Sequence, residues 1–318
     1  MKMHKRCLFC YETTDDIEGD FHAKCSKSFF NKTEPPLLPY ALDDMYELAK
    51  QVVARSVTVP GVQAKLSLSL NKNRNQPDRF TLVGLWGNYI LKPPVEKYLQ
   101  MPEIEDVTMH MANLCKIKTV PHSLIRLKSG ELAYLTKRID RDNKNNKIQM
   151  EDMCQLTDRL TEDKYKGSME KTGKTIMKYS SNPVYDVLIF YELSLFSFLT
   201  GNADMHLKNF SLIHNKNGMT GISPAYDLIA TRLLIPEKYD NEETALALNG
   251  KKRNFTAHDF KLFGKSLTLN DKQIENVFSS FKNHINNCIN FIDKSFLSQE
   301  NRSKYKDLII ERAKRILS

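Results

Sequence analysis

The stretch from Val184 to Leu199 does most to limit what this chain can become. It is the richest apolar segment of the chain, broken by the acids Asp186 and Glu192, and Val184, Leu188, Tyr191, Leu195 and Phe198 recur along it at helical spacing. Two acids in so short a run rule against a membrane span, which needs about 20 predominantly apolar residues. The spacing instead predicts a buried helix within a mainly helical body, with those five residues on its inward side. The helix delivers the chain straight into a polar segment, Gly201-Asn202-Ala203-Asp204-Met205-His206-Leu207-Lys208-Asn209-Phe210-Ser211.

That segment carries chemistry. Asp204 and Asn209 stand five residues apart, and a second isolated carboxylate follows at Asp227. Phosphoryl transfer needs one carboxylate to orient a hydroxyl, and an amide plus another carboxylate to hold Mg2+ on the phosphates. The Asp-to-Asn spacing equals that of the protein-kinase catalytic loop. On spacing alone, turn-forming Asp and Asn would serve equally well.

Upstream, Ala41 to Ala54 has helical periodicity, and Arg55 to Leu70 reads as two strand-like halves around Pro60-Gly61. Phe80 to Val83 and Tyr89 to Leu91 read as further strands, the second running into Lys92-Pro93-Pro94. Pro102 opens a helix with Ile104, Val107, Met111 and Leu114 on one face and Glu103 and Glu105 near its start. Ser123 to Leu127 and Leu132 to Ile139 complete a set of short strands around one helix, the parts of a kinase amino-terminal lobe. Beyond Asp140, Lys144 to Lys147 and Glu162 to Ser181 are polar and Lys-rich and read as connectors. Thr256-x-x-Asp259 has the form of a capping box, and Asp271 to Leu317 supplies two or three more amphipathic helices. The expected organisation is a Cys/His element over residues 1–40, a β-rich lobe over 41–140 and a helical lobe over 141–318, an α/β (α+β) fold of two-lobed kinase type.

Composition sets outer limits. With 318 residues, 41% hydrophobic and 27% charged, the chain is an ordinary globular one, and the absence of an apolar leader reads as cytoplasmic. The net charge of +9 favours anionic partners, but the lysines are spread out, with one tight cluster at Lys251-Lys252-Arg253. Three cysteines form Cys7-x-x-Cys10 and His22-x-x-Cys25, two short-spaced pairs that suit a tetrahedral structural Zn2+ as well as they suit a reduced thiol pair beside a surface His. The intervening loop holds Glu12, Asp15, Asp16, Glu18 and Asp20 and no base, which argues against a nucleic-acid-binding zinc knuckle. Cys115, Cys154 and Cys288 lie among apolar neighbours and read as buried reduced thiols.

Taken in order, several segments resemble the HipA-type serine/threonine kinases of bacterial toxin–antitoxin systems, from about Ser56 to the C-terminus. They are Val59-Pro60-Gly61-Val62-Gln63-Ala64-Lys65-Leu66, Tyr89-Ile90-Leu91-Lys92-Pro93, Lys137-Arg138-Ile139-Asp140-Arg141 and Glu151-Asp152-Met153-Cys154-Gln155. The loop from Asn202 to Ser211, Ala225-Tyr226-Asp227-Leu228 and Leu248-Asn249-Gly250-Lys251 continue the series. Full-length members carry an additional amino-terminal subdomain, so the chain is more similar to the short HipT branch found in three-component HipBST systems, and to short HipA-like kinases that stand alone.

The resemblance implies ATP and Mg2+ as cofactors. It implies Asp204 as the residue that orients the acceptor hydroxyl, with His206 and Lys208 beside it, and Asn209 and Asp227 as Mg2+ ligands. Lys92 is implied for the ATP phosphates, Glu105 (or Glu103) as its partner, Gln63 and Lys65 in the phosphate loop, and Leu135 to Ile139, with Lys137 and Ile139, as the adenine hinge. Thr58 or Ser56 matches the family's autophosphorylation switch, where phosphate would repel the nucleotide. As partners it implies a protein substrate such as an aminoacyl-tRNA synthetase, antitoxins similar to HipB and HipS, and DNA only through the antitoxin. The alternatives are a stand-alone kinase acting as a secreted effector and a kinase of small molecules or lipids.

Overall fold

The computed structural model describes residues 6–13, 19–71, 77–83, 87–142, 144–215 and 217–318 apart from 56–63, with the side chains of 49–55 also left aside. The expected Ser56, Thr58 and Gln63 therefore lie outside the described residues, as does the first half of the Arg55 to Leu70 hairpin. The chain divides into two compact units. One comprises 1–106, 120–146 and 294–296, the other 107–119, 147–293 and 297–318.

In the first unit, α1 (Ala23–Phe30) and α2 (Leu42–Arg55) precede β1 (Leu66–Asn71), β2 (Arg79–Leu82) and β3 (Tyr89–Lys92). Helix α3 (Met101–Leu114) begins here and runs on into the second unit, and β4 (His122–Arg126) and β5 (Leu132–Lys137) follow. The five strands form one antiparallel sheet in the order β2-β1-β3-β5-β4. In β1, Leu66 and Leu68 are buried while Ser67 and Ser69 are half-exposed, the period-two pattern of a strand with one covered face. Phe30 of α1 packs edge-on against Phe80 of β2, and Phe29 against Tyr89 of β3, so the Cys/His element is seated on the sheet.

The second unit holds β6 (Met150–Asp152), α4 (Met153–Leu156), α5 (Met169–Tyr179), α6 (Pro183–Leu199), β7 (Ser211–His214) and β8 (Thr220–Ile222). After them come α7 (Thr231–Leu234), α8 (Ala257–Ser266), α9 (Asp271–Ile292) and α10 (Gln299–Leu317). Strands β6, β7 and β8 form a small antiparallel sheet, and α6 packs on α5, α10 and β8.

Two expectations need correction here. The expected inward side of α6 is buried only from Tyr191 onward: Val184 is 62% exposed and Leu188 half-exposed, while Tyr191, Leu195 and Phe198 are buried together with Phe190 and every residue from Leu193 to Leu199. A helix enclosed all round near its C-terminal end needs no stripe, and apolar residues on every side satisfy that environment. Nor is Glu162 to Ser181 merely a connector. Ser168 caps α5 by accepting a bond from the Lys171 N–H at 3.2 Å, and Met169, Thr172, Gly173 and Ile176 form its buried face. Lysines on the outward face masked that short amphipathic pattern.

The Thr256 and Asp259 capping box opens α8 as expected. Asn249 and Lys251 both reach Asp259, at 3.1 and 2.8 Å, so the Leu248 to Lys251 segment braces this helix start. Burial opposes ionisation of Asp259, but the bonds from Lys251, Thr256 and Asn249 outweigh it and hold the carboxyl well below the usual range. Cys115, Cys154 and Cys288 are buried free thiols. No helix among the described residues is long and apolar enough to cross a membrane.

Candidate active site

In the second unit, the site begins where α6 stops. Gly201 adopts φ +74°, donating its N–H to Phe198 O at 3.1 Å, while the Asn202 N–H reaches Ser197 O at 2.8 Å. These two bonds are the Schellman closure of a helix C-terminus, which a Gly in the left-handed region makes without a Cβ penalty. Asn202 then accepts the Asp204 N–H on its side-chain oxygen at 3.1 Å, and the Ala203 N–H bonds Thr231 Oγ1 at 2.8 Å. The loop is thus held at both ends before Asp204 leaves it.

Asn209 is buried and donates its amide to the carbonyl of Asp204 at 2.8 Å. That bond orients the amide and makes its side-chain oxygen the atom left for a ligand. Tyr226 ties the next part in, its hydroxyl bonding Ser211 Oγ at 2.5 Å and Lys208 O at 2.9 Å. Four residues after Asp227, Thr231 grips the loop at Ala203. Asp227 is therefore bracketed by two anchors on the very loop that carries Asp204 and Asn209. It is held at φ +55°, a left-handed conformation uncommon outside glycine and tolerated by Asp. Two oxygen-bearing side chains fixed in this way are suitable ligands for a hard divalent cation.

His206 is buried, its ring edge-on to Tyr165 at 5.2 Å, and its Nδ1 has no hydrogen-bond partner among the described residues. Burial pulls its pKa down to about 4 in spite of the nearby Asp204 charge, so it is a neutral imidazole at pH 7. Lys208 does not point into free space: its Nζ sits 2.6 Å from Asp152 Oδ2. Asp152 also caps α4 through its other oxygen, accepting the Gln155 N–H at 3.0 Å. The Glu151 to Gln155 motif, to which sequence gave no role, is thus a brace for the Lys208 side of the loop.

The second residue that sequence missed is Tyr165. Its hydroxyl donates to Asp204 Oδ1 at 2.7 Å. Burial and the Asp204 charge both raise the phenol pKa, so it stays a proton donor. An aromatic isolated between Lys164 and Lys166 was the available signal.

In the first unit, Lys92 and Glu105 form an ion pair of 2.5 Å, with side chains 5% and 1% exposed. Glu103, the other acid at this helix start, does not share that pair; burial lifts its pKa to about 7. Lys92 Nζ also lies 5.3 Å from the centre of the Tyr134 ring. Lys65 is exposed just before β1. Lys137, the last residue of β5, spends its N–H on Pro121 O at 2.9 Å and lays its Nζ 5.4 Å from the Phe29 ring centre. Ile139 follows in a bend, half-exposed.

The same unit gathers Cys7, Cys10, His22 and Cys25, whose ligand atoms all lie within 4.8 Å of one another. His22 Nδ1 is 3.3 Å from Cys10 Sγ and 3.7 Å from Cys25 Sγ. A zinc tetrahedron with Zn–S of about 2.3 Å and Zn–N of about 2.0 Å has S···N edges of roughly 3.6 Å. Burial and the neighbouring sulfur of Cys7 push the Cys25 thiol up to about 12, the crowding that a bound cation reverses.

Residues 57–289 match the family described as HipA-like C-terminal domain. The chain belongs to that family. This HipA-like chain is 25% identical over 268 residues to a candidate kinase of Haemophilus influenzae, covering 77% of itself and 76% of that protein. It is 33% identical to the candidate kinase Y4dM of Sinorhizobium fredii over 60% of its own length and 48% of that protein. Among solved structures, it is similar to HipA of Shewanella oneidensis MR-1, determined in complex with HipB and operator DNA. That similarity has a TM-score of 0.68 and 20% identity over 89% of this chain and 72% of the other. It is also similar to the Helicobacter pylori proinflammatory kinase CtkA, with a TM-score of 0.53 and 18% identity over 78% of this chain and 93% of the other. At these identities the structures establish the fold, which is kinase-like, mixed α/β with a β-sheet region and a helical C-terminal part.

Proposed function

We propose that this HipA-like chain is an ATP- and Mg2+-dependent serine/threonine protein kinase and the toxin of a bacterial toxin–antitoxin system. The observation that carries the reading is the ordered loop from Gly201 to Asn209, with Asn209 bonded to the Asp204 backbone and Asp227 anchored beside it. Lys92, paired with and aimed by Glu105, binds the ATP phosphates. Asp204 orients the acceptor hydroxyl and takes its proton. Neutral His206 packs beside it, and Lys208, neutralised by Asp152, stiffens the loop. Asn209 and Asp227 are the residues to hold Mg2+, which when bound offsets negative charge on the transferring phosphoryl group. Lys137 and Ile139 border the adenine, and Lys65 and Gln63 the phosphates. A structural Zn2+ sits on Cys7, Cys10, His22 and Cys25.

The substrate is a protein of the translation machinery, an aminoacyl-tRNA synthetase being the family expectation, and phosphorylation at Thr58 or Ser56 switches the enzyme off. The antitoxin is a HipB-like helix-turn-helix protein, with a HipS-like partner if the chain is of the HipT branch. The fact that the Shewanella HipA was captured with HipB and operator DNA supports this assignment.

Induced expression in a bacterial host tests it. Wild type should arrest growth and label a discrete protein from radiolabelled ATP in lysate, identifiable by mass spectrometry, while Asp204→Ala does neither. Growth arrest that persists in Asp204→Ala removes the kinase-toxin reading. Peptide mapping after prolonged incubation with ATP and Mg2+ that finds Ser56 and Thr58 unmodified removes the regulatory part alone.

A further inference from the structure

The Cys/His cluster is joined to the lysine–glutamate pair by a continuous path of contacts within the first unit. Tyr11 follows Cys10 directly. It is 1% exposed, sits at φ +64°, and its N–H closes the Cys7 to Cys10 turn on Cys7 O at 2.9 Å. Its hydroxyl donates to Asp106 Oδ2 at 2.6 Å, and the other oxygen of Asp106 lies 2.6 Å from His122 Nδ1. Asp106 is the neighbour in sequence of Glu105, on the same turn of α3. The His122 ring stacks on Tyr134 at 6.0 Å, and Tyr134 is the ring beneath Lys92. The path thus leaves the cluster at Tyr11, passes through α3 and β4, and reaches both members of the Lys92–Glu105 pair.

We infer that metal at Cys7, Cys10, His22 and Cys25 acts as a clamp on α3. By fixing the left-handed turn at Tyr11 it holds Asp106, and with it Glu105, in the position that aims Lys92. The inference rests on the zinc reading given above and adds a role to it. A metal that only stabilised residues 6–30 would need no buried phenol reaching into α3. Here the residue next to a ligand is wholly enclosed and spends its hydroxyl on the carboxylate beside the pairing glutamate. The backbone is fastened at the same place, since Leu8 O accepts from Ser123 Oγ at 3.2 Å and from the Leu124 N–H at 3.4 Å. Four converging ligands on a preformed turn couple metal binding to local order. Tyr11 and Asp106 are positioning residues, acting through Glu105 and Lys92.

The test uses the full chain, purified without chelator, with zinc measured per chain by elemental analysis, nucleotide affinity by calorimetry with a non-hydrolysable ATP analogue, and amide exchange followed over residues 101–108. Wild type and Tyr11→Phe should each carry one zinc, and Cys10→Ser and Cys25→Ser none. Tyr11→Phe and both cysteine variants should weaken nucleotide binding about tenfold and speed exchange over 101–108. In a Lys92→Met background none of these changes should weaken it further. Phe281→Leu, a core change in α9, serves as the reference for general destabilisation and should lower Tm without moving nucleotide affinity. Absence of stoichiometric zinc from wild type overturns the metal reading and the clamp with it. Zinc present, with affinity and exchange unmoved in Tyr11→Phe and in the cysteine variants, overturns the clamp and leaves the metal site standing. An additional loss in the Lys92→Met background contradicts action through Lys92.

Discussion

The hydroxyl of Tyr165 occupies Oδ1 of Asp204, at 2.7 Å, in the place an acceptor hydroxyl takes in the proposed reaction. A substrate serine or threonine must displace it or use the remaining oxygen. A hydrogen bond to a charged group contributes about 1.5–3 kcal/mol, and water recovers part of that on release. Tyr165→Phe should therefore lower the KM for the protein acceptor about three- to tenfold, leaving the KM for ATP unchanged. Steady-state kinetics on the identified substrate checks this. A loss of kcat comparable to that of Asp204→Ala would instead mean that Tyr165 positions the carboxylate.

The Lys92–Glu105 pair is buried on both sides, so removing one partner strands a charge in the interior. Lys92→Met alone should destabilise the protein by about 3–5 kcal/mol. Combining it with Glu105→Leu should restore most of that, because neither charge remains to be desolvated. Nucleotide binding should stay weakened, though measurable, in both. Urea melts with calorimetry of the same samples separate the two effects, and a double variant no more stable than the single one would contradict the argument.

His206 gives a pH signature. Its pKa falls from an ordinary 6.5 to about 4 on folding, chiefly through burial. Between those values the unfolded chain binds the proton and the folded chain does not, so stability is intact above pH 6.5 and declines as pH falls toward 4. At pH 5 the loss from this group should be about 2 kcal/mol. His206→Gln should lack it, and chemical denaturation at pH 7.5 and pH 5 is the check. A variant with the same acid sensitivity as wild type would assign the loss to other groups.

Gly201 is needed for its conformation and for its lack of a side chain. At φ +74° an added Cβ would also come within 2.5 Å of Leu308 Cδ2. Gly201→Ala should cost about 1–3 kcal/mol and lower kcat more than KM, since the turn it closes leads into Asp204. Thermal melts and kinetics of this variant would contradict the account if both matched wild type.

Much of this candidate site is legible in the sequence because the patterns that mark it are local. The Asp204 to Asn209 spacing, the Asp227 carboxylate and the paired Cys/His residues are short patterns, and the helix leading to Gly201 is marked by its own composition. What escaped reading depends on distant partners. Tyr165 and Asp204 are separated by 39 positions, Lys208 and Asp152 by 56, and Tyr11 and Asp106 by 95. No periodicity encodes such pairs. The exposed start of the expected inward side of α6 and the missed α5 have one cause: a helix's environment is set by what packs on it, and burial all round or a lysine-covered outer face both blur the pattern.

The most direct measurement is transfer of the γ-phosphate of ATP to protein by the purified chain, with Asp204→Asn and Asn209→Ala compared with wild type in the presence and absence of Mg2+. Mg2+-dependent transfer to serine or threonine is expected, reduced at least about a thousandfold in both variants while both remain folded. Transfer that proceeds at the wild-type rate in Asp204→Asn would contradict the proposed mechanism.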